Sequence, residues 1–440
     1  MPKKHVDVLL FVEHVARELD VACAVKYLAC SRYNLNVEIA STVFDIDRTL
    51  KMFKPEVVAV PYCIGIISSP IDQLLREWPD AVYVNLAYEQ LFREHQLAAK
   101  APKDDLARSH LLYVSWGKFN SDFLITNGVD SRNIADIGNP VYALYRGVNS
   151  HYFESRATLA KRFGLDDAKR WVFIPENYGA AFGTDRTVRS PAAGGGKIAS
   201  EVREFALRSF NEAACWWSKL AESQEIELIV RPRPATALSN FTQALREVAG
   251  TIPERLRVIK DGTIREWILA SDAVFSSYST SLIEGAIAGK PVHMLAPVAF
   301  PIHLNTEWHS MVPSVTTFEQ FAGSAIDSRA QLAGAELGTW AENVMMAKED
   351  AILGLTKYLS SIRTGDTHIP QKVPSEMIRG FDHNNNGVQR PSGGLAGQVR
   401  GIAARVYRTV RGSGPSDHES DKFSDEDVHE RVTRWSEVLG

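Results

Sequence analysis

Residues 271–292 read Ser-Asp-Ala-Val-Phe-Ser-Ser-Tyr-Ser-Thr-Ser-Leu-Ile-Glu-Gly-Ala-Ile-Ala-Gly-Lys-Pro-Val. Ala273–Phe275 is a short apolar run, Ser276–Ser281 a hydroxyl-rich turn, and Ser281–Ala288 a helix stopped by Gly289, after which Pro291 opens the next strand. The stretch is therefore one strand–turn–helix–strand unit, the building block of a parallel sheet. The first amides of a helix have no intrahelical acceptor and the helix dipole favours negative charge there, so such a turn suits a phosphate or diphosphate. Ser277, Ser279, Thr280 and Ser281 are candidate ligands of that anion, and Glu284, one turn further on, is a candidate acceptor of ribose hydroxyl hydrogen bonds. Ser279 or Thr280 acting as an ordinary helix cap explains part of the pattern without a ligand. Five Ser and Thr residues in six positions are more than one cap requires.

The alternation continues upstream. Trp171–Ile174, Ile226–Val230 and Leu256–Ile259 are further apolar runs, while Ala199–Ala221 and Thr263–Ala270 carry apolar residues at helical spacing, which makes residues 151–335 a doubly wound, Rossmann-like domain. An earlier series, Val6–Val12, Val37–Ala40, Val57–Pro61, Ala81–Asn85, Leu111–Ser115 and Ile134–Ile137, gives about six more strands in residues 1–150. Leu19, Ala22, Val25 and Leu28 put one buried face on a helix over Glu13–Cys30. A connector, His151–Phe163, ends at Gly164, and a helix over Ala341–Ser361, within residues 336–370, is free to return toward the first series. The fold class expected is α/β with two Rossmann-like domains and ligands held between them.

Composition agrees. At roughly 150 residues per domain, 440 residues suit two domains and a tail. With 45% hydrophobic and 23% charged residues, collagen-like, coiled-coil and wholly disordered chains are excluded. Lys and Arg number 49 against 53 Asp and Glu, a net charge of −4, which lacks the basic field of a nucleic-acid coat, so no nucleic-acid partner is expected. Cys23, Cys30, Cys63 and Cys215 are scattered without metal-ligand spacing and read as thiols of a reducing compartment. The apolar run Val6–Val12 contains Asp7 and is too short for a signal-peptide core. Val57–Ile67, which contains Pro61 and Gly65, falls well short of the ~20 residues that span a bilayer. A cytoplasmic location is expected.

Residues 371–440 change character: His383–Gly397 is rich in Asn and Gly, and Ser416–Asp427 in Asp, Glu and Ser. With little to bury, this tail is expected to be largely disordered. Within it, Val399–Val410 gathers Ile402, Ala403, Val406 and Val410 on one helical face and Arg400, Arg405, Arg408 and Arg411 largely elsewhere. This short basic amphipathic helix is a candidate for peripheral contact with anionic lipid at the inner membrane, or else packs on the protein's own surface.

Further polar motifs follow predicted strands. Arg231-Pro232-Arg233-Pro234 ends the strand Ile226–Val230, where the two cations suit a donor's anionic groups or form surface ion pairs. Glu176-Asn177-Tyr178 opens the long segment Pro175–Lys197, which also holds Asp185-Arg186 and the run Gly194–Gly196 and is long enough to act as a lid. Phe11-Val12-Glu13-His14, Arg17-Glu18, Tyr88-Glu89-Gln90, Trp116-Gly117 and Gly138-Asn139-Pro140 lie at the ends of N-terminal strands. Glu13, His14, Arg17 and Asn139 are thereby candidates for the crevice, with Trp116 and Asn139 shaping loops rather than reacting. His95, His110, His303 and His309 have no metal or triad spacing, and Asp45-x-Asp47 reads as a helix start, so no metal site is expected.

The turn with its E-x-x-x-x-G-x-P helix resembles the nucleotide-sugar site of GT-B glycosyltransferases, a pattern shared with sugar epimerases. Arg231–Pro234 is similar to the R-P-H-P strand end of bacterial surface-polysaccharide transferases, including β-Kdo transferases and glycerophosphotransferases, with Arg233 in place of histidine; Arg stays charged and cannot shuttle a proton. Together with the N-terminal motifs, the stretch Val6–Val292 resembles the surface-carbohydrate biosynthesis family related to the retaining β-Kdo transferases. The resemblance implies a cytoplasmic GT-B glycosyltransferase that moves a sugar from a nucleotide-sugar donor, CMP-Kdo-like in the nearest case, to a glycan or lipid-linked acceptor of a surface polysaccharide or capsule. Domain 1–150 would serve the acceptor and domain 151–335 the nucleotide, with the donor as substrate and no cofactor. Retaining transfer through a covalent intermediate needs a carboxylate at the anomeric carbon, for which Asp185, Glu89 and Glu176 are the candidates. The alternatives are a CDP-glycerol-type glycerophosphotransferase, a nucleotide-sugar epimerase, and an inactive nucleotide-binding scaffold of an assembly complex.

Overall fold

The computed structural model describes residues 2–68, 70–91, 94–182, 196–223, 225–234, 236–327, 333–347, 349–378 and 421–440. They form two units: the first from Met1–Leu144 with the described parts of Asn343–Thr409 and His418–Gly440, the second from Tyr145–Glu342. Asp185 and the basic stretch Val399–Val410 lie outside the described residues.

The first unit is a six-stranded sheet of β1 (Lys4–Val12), β2 (Val37–Ser41), β3 (Phe53–Val60), β4 (Val82–Asn85), β5 (Leu112–Ser115) and β6 (Ile134–Asp136) in the order β2-β1-β3-β4-β5-β6. Every pairing is parallel. Parallel strands flanked by helices are buried on both faces, so they read as continuous apolar runs; Val8, Leu9, Leu10, Phe11 and Val12 of β1 are all buried. β3 starts before Pro55 rather than after it. Pro55 sits opposite Val6, and β4 joins β3 only from Val57, so the missing N–H falls where β3 is still an edge.

The second unit repeats the plan with β7 (Arg170–Pro175), β8 (Ile226–Arg231), β9 (Leu256–Val258), β10 (Ala273–Ser276), β11 (Val292–Leu295) and β12 (Ser314–Val315), again wholly parallel, in the order β12-β11-β10-β7-β8-β9. In this Rossmann order the topology reverses between β7 and β10, and the carboxyl ends of those two strands flank the place where such sheets bind ligands. Helix Ser281–Ile287 reaches its sheet closely: a β-carbon on Gly285 would come within 2.8 Å of Val292 Cγ1.

Two segments depart from expectation. The single helix over Ala341–Ser361 is two, Ala335–Met345 and Ala351–Thr364, because Asp350 accepts hydrogen bonds from the amides of Ile352 and Leu353 and starts a new helix. The tail ends in an ordered helix, Asp425–Leu439, opened by a capping box in which Ser424 and Asp427 satisfy each other's amides. It packs on helix Asp20–Tyr33, where Trp435 is fully buried and its Nε1–H donates to the Asp20 carbonyl at 2.9 Å. Composition gave no sign of this, because Trp435 is the only buried residue of the helix. Among the described residues no helix is long and apolar enough to cross a membrane.

Candidate functional site

At the carboxyl end of β1 the expected helix from Glu13 opens instead as one wide π-turn, Val15–Leu19, before Asp20–Tyr33. Glu18 causes it. Its carboxylate, fully buried, folds back to accept from the amides of Glu13 (2.7 Å) and His14 (3.3 Å). Burial pushes the Glu18 carboxyl up, opposed by the Arg17 guanidinium, which donates to Oε1 at 2.7 and 2.9 Å. Arg17 also reaches Glu89 Oε1, beyond β4, at 3.4 Å. Lys100 donates to Glu89 Oε2 at 2.5 Å and lies 4.6 Å from the Tyr62 ring. Burial acts to raise the Glu89 carboxyl, but Lys100 and Arg17 outweigh it and hold the group below the usual carboxylate range.

Thus Glu13, His14, Arg17 and Glu89 are brought together along one rim of the first sheet, joined by Glu18 of the same motif and by Lys100 and Tyr62, which the sequence did not single out. Asn139, beyond the end of β6, is buried and shapes its loop: its Oδ1 caps helix Pro140–Ala143 by accepting from the amides of Val141 and Tyr142. Trp116 likewise shapes a loop, its amide donating to Gln90 Oε1 at 2.8 Å. Asp45 stands at the start of helix Ile46–Met52 without making the side-chain cap expected of it. Among the described residues no group of three or more His, Cys, Asp or Glu is placed to hold a metal ion.

In the second unit, Glu176 follows β7 and is buried; its carboxylate accepts from the amides of Tyr178 and, at 3.3 Å, Arg233. Burial raises its pKa, against those hydrogen bonds and the Arg233 charge. Glu176 thereby ties the loops after β7 and β8 together. Arg233 is exposed and its guanidinium lies over Gly179, where a β-carbon would come to 2.5 Å from Nη1. Arg231 turns away, donating from Nη2 to the Gly262 carbonyl at 2.8 Å near Glu266 and Asp261. The two arginines of one motif therefore have different fates: Arg231 ends β8 and is tied to the loop after β9, whereas Arg233 lies beyond the strand, over Gly179.

At the end of β10, Ser276 Oγ donates to the Pro175 carbonyl at 2.6 Å, across the topological switch, and buried Ser277, just beyond the strand, stands beside the Tyr178 hydroxyl. Ser279 Oγ accepts from the Ser281 amide at 3.2 Å and bonds the Ser281 hydroxyl at 3.0 Å, while Thr280 is exposed and makes no side-chain cap. Part of the hydroxyl run is thus spent on the turn itself. Glu284 accepts from the Tyr145 hydroxyl; burial raises its pKa, while that bond and the Arg265 charge lower it. Tyr145 was invisible in the motif, being 139 positions away.

No family model matches the chain, and no curated protein sequence matches it. Solved structures do. A protein described as a UDP-N-acetylglucosamine 2-epimerase from Listeria monocytogenes aligns over 84% of this chain and 100% of its own, at 12% identity and a TM-score of 0.52. The S. aureus MnaA–UDP co-structure aligns over 84% and 100% at 10% identity and a TM-score of 0.52. A variant of the wall teichoic acid polymerase TagF aligns over 83% and 89% at 9% identity and a TM-score of 0.51. At these identities the likeness establishes fold and not activity: the chain is an α/β protein of two Rossmann-like units, the GT-B architecture.

Proposed function

We propose that the protein is a glycosyltransferase that moves a sugar from a nucleotide-sugar donor to a growing bacterial surface polysaccharide, working in the cytoplasm or at the inner face of the membrane. The observation that carries this reading is the rim of the second unit. There the hydroxyl turn Ser277–Ser281, Glu284 and exposed Arg233 surround the carboxyl ends of β7, β8 and β10, where a Rossmann-ordered sheet takes a nucleotide. The names of the similar structures, a teichoic acid polymerase, an epimerase and a protein bound to UDP, point the same way. Arg233 then meets the donor's anionic groups and Glu284 its ribose, whereas Arg231 supports the loop after β9.

For the reacting carboxylate, Asp185 leads and Glu89 follows, since Glu89 is held ionised by Lys100 and Arg17. Glu176 comes last, because both its oxygens already serve backbone amides. Transfer is expected to proceed without a metal or cofactor. Asp185→Asn, Glu89→Gln and Glu176→Gln are assayed by product mass spectrometry in excess chelator. At least one should bind donor and fail to turn it over. Parental turnover in all three, or loss of parental activity to chelator alone, removes the mechanism.

The function itself is tested by thermal-shift screening with CMP, CDP, UDP and GDP, each with and without sugar, followed by product assay with and without acceptor. Turnover of the sugar nucleotide without acceptor makes the protein an epimerase, a phosphodiester product makes it a phosphotransferase, and binding with no turnover makes it a scaffold. Glu284→Ala is expected to weaken nucleotide binding by about 1–3 kcal/mol through the lost ribose acceptor, read by calorimetry beside Tyr145→Phe as control for the Tyr145–Glu284 hydrogen bond. Equal affinity in a folded Glu284→Ala protein displaces the nucleotide from this turn.

A further inference from the structure

Asp421, near the start of the ordered C-terminal segment, is buried and comes back to the end of β1, 406 and 407 positions away in sequence. Its Oδ1 accepts from the Val15 amide at 3.1 Å and its Oδ2 lies 3.2 Å from His14 Nδ1. Burying a carboxylate is costly unless its oxygens are matched by donors, and Asp421 lies outside helix Asp425–Leu439, which makes contacts of its own to the first unit. Trp435 and the Arg431–Asp20 pair at 3.2 Å anchor that helix on helix Asp20–Tyr33. The segment before the helix instead aims one oxygen at the π-turn and the other at the imidazole. Among the described residues His14 Nε2 makes no hydrogen bond.

We propose that Asp421 is a positioning residue for His14: it holds the imidazole with Nδ1–H toward Asp421, which leaves Nε2 as the proton acceptor at the β1 rim. A carboxylate on one ring nitrogen selects the tautomer, fixes the ring and raises the basicity of the other nitrogen. The role of Nε2 toward an acceptor hydroxyl rests on the transferase reading above; the state of the imidazole does not. The charged groups facing His14 are Asp421, Arg17 and Glu13. Asp421 raises the imidazole's pKa above the ordinary value, burial and Arg17 lower it, and Glu13 adds to the rise, with a net upward direction. The charged pair therefore favours the docked segment fully below the ordinary histidine pKa and less as pH rises through the raised one.

The test uses the full chain labelled with 15N-histidine, His14 being assigned by its absence in His14→Gln. In the parent, neutral His14 should show the Nδ1–H tautomer and an elevated titration midpoint. Asp421→Asn should lose the tautomer preference and move the midpoint down, while Asp421→Glu should recover both in part. Retained burial of Trp435, read by fluorescence, separates this from loss of the helix. An unchanged His14 tautomer and midpoint in folded Asp421→Asn overturns the proposal. In transfer assays the same variant should lose about 10- to 100-fold in kcat with KM nearly unchanged, as for other residues that orient a functional imidazole, and the acid limb of its pH profile should move down. A shifted imidazole with parental kcat and pH profile overturns the positioning role. If no donor is turned over by the parent, the transferase reading falls and the histidine titration alone decides Asp421.

Discussion

Trp435→Ala is expected to undock the C-terminal helix. Trp435 is the only fully buried residue of Asp425–Leu439, with Val428, Val432, Val438 and Leu439 half-buried, so the main apolar anchor of this helix is one side chain. A buried Trp→Ala change costs about 3–5 kcal/mol, and it also removes the donor that satisfies the Asp20 carbonyl. A 15-residue helix has little stability of its own in water once its packing is lost. Hydrogen exchange of the amides in 425–439 should accelerate by at least ~100-fold while the strands of the first unit keep their protection. Cys23 gives a second reading. Its buried thiol lies 4.0 Å from the Val428 carbonyl, and burial pushes its pKa up to about 12. It should become reactive toward thiol reagents when the helix leaves. Unchanged exchange and an unreactive Cys23 would place the anchor elsewhere.

Acid should weaken the second unit through one buried histidine. His293 on β11 is 5% exposed, its ring stacks on Phe275 with centroids 4.8 Å apart, and neither ring nitrogen has a hydrogen-bond partner among the described residues. Burial, helped by the Arg170 charge, pulls its pKa from 6.5 down to about 4. The unfolded chain therefore takes up a proton that the folded unit refuses. The sign follows: the stabilisation is complete above pH 6.5 and is lost as pH falls toward 4. A difference of that size corresponds to about 3 kcal/mol. His293→Phe, which keeps a flat ring against Phe275, should remove this pH dependence. The measurement is hydrogen exchange of the β10 and β11 amides from pH 7 to pH 4, corrected for intrinsic rates. Equal acid sensitivity in parent and variant would mean that other groups set the acid limit.

Periodicity is a local property, and what depends on it was legible in the sequence. The apolar runs that became β1–β11, the helices expected over Glu13–Cys30, Ala199–Ala221 and Thr263–Ala270, and the strand–turn–helix of Ser271–Val292 each follow from neighbours a few positions apart, because a strand buried on both faces must be apolar throughout. Helices such as Ile71–Glu77 and Leu238–Ala249 were not read from the sequence. The grouping of Glu13, His14, Arg17 and Glu89 was legible for the same reason, since residues just after parallel strands share one rim. The destination of each polar side chain was not local. Arg231 and Arg233 are two positions apart, yet only the loop after β9 decides that one is tied to Gly262 while the other stays exposed. Glu176 looked like a reactive carboxylate and is held by two backbone amides, one of them Arg233, 57 positions away. The end of the tail is the sharpest case. By composition Asp425–Leu439 has too little apolar surface to order itself; its capping box is local, and what orders it is one indole and the ion pairs to Asp20 and Arg48, whose partners lie some 400 positions earlier. Only tertiary structure decides that, because the free energy of burying Trp435 and Asp421 exists only once the first unit has built the surface that receives them.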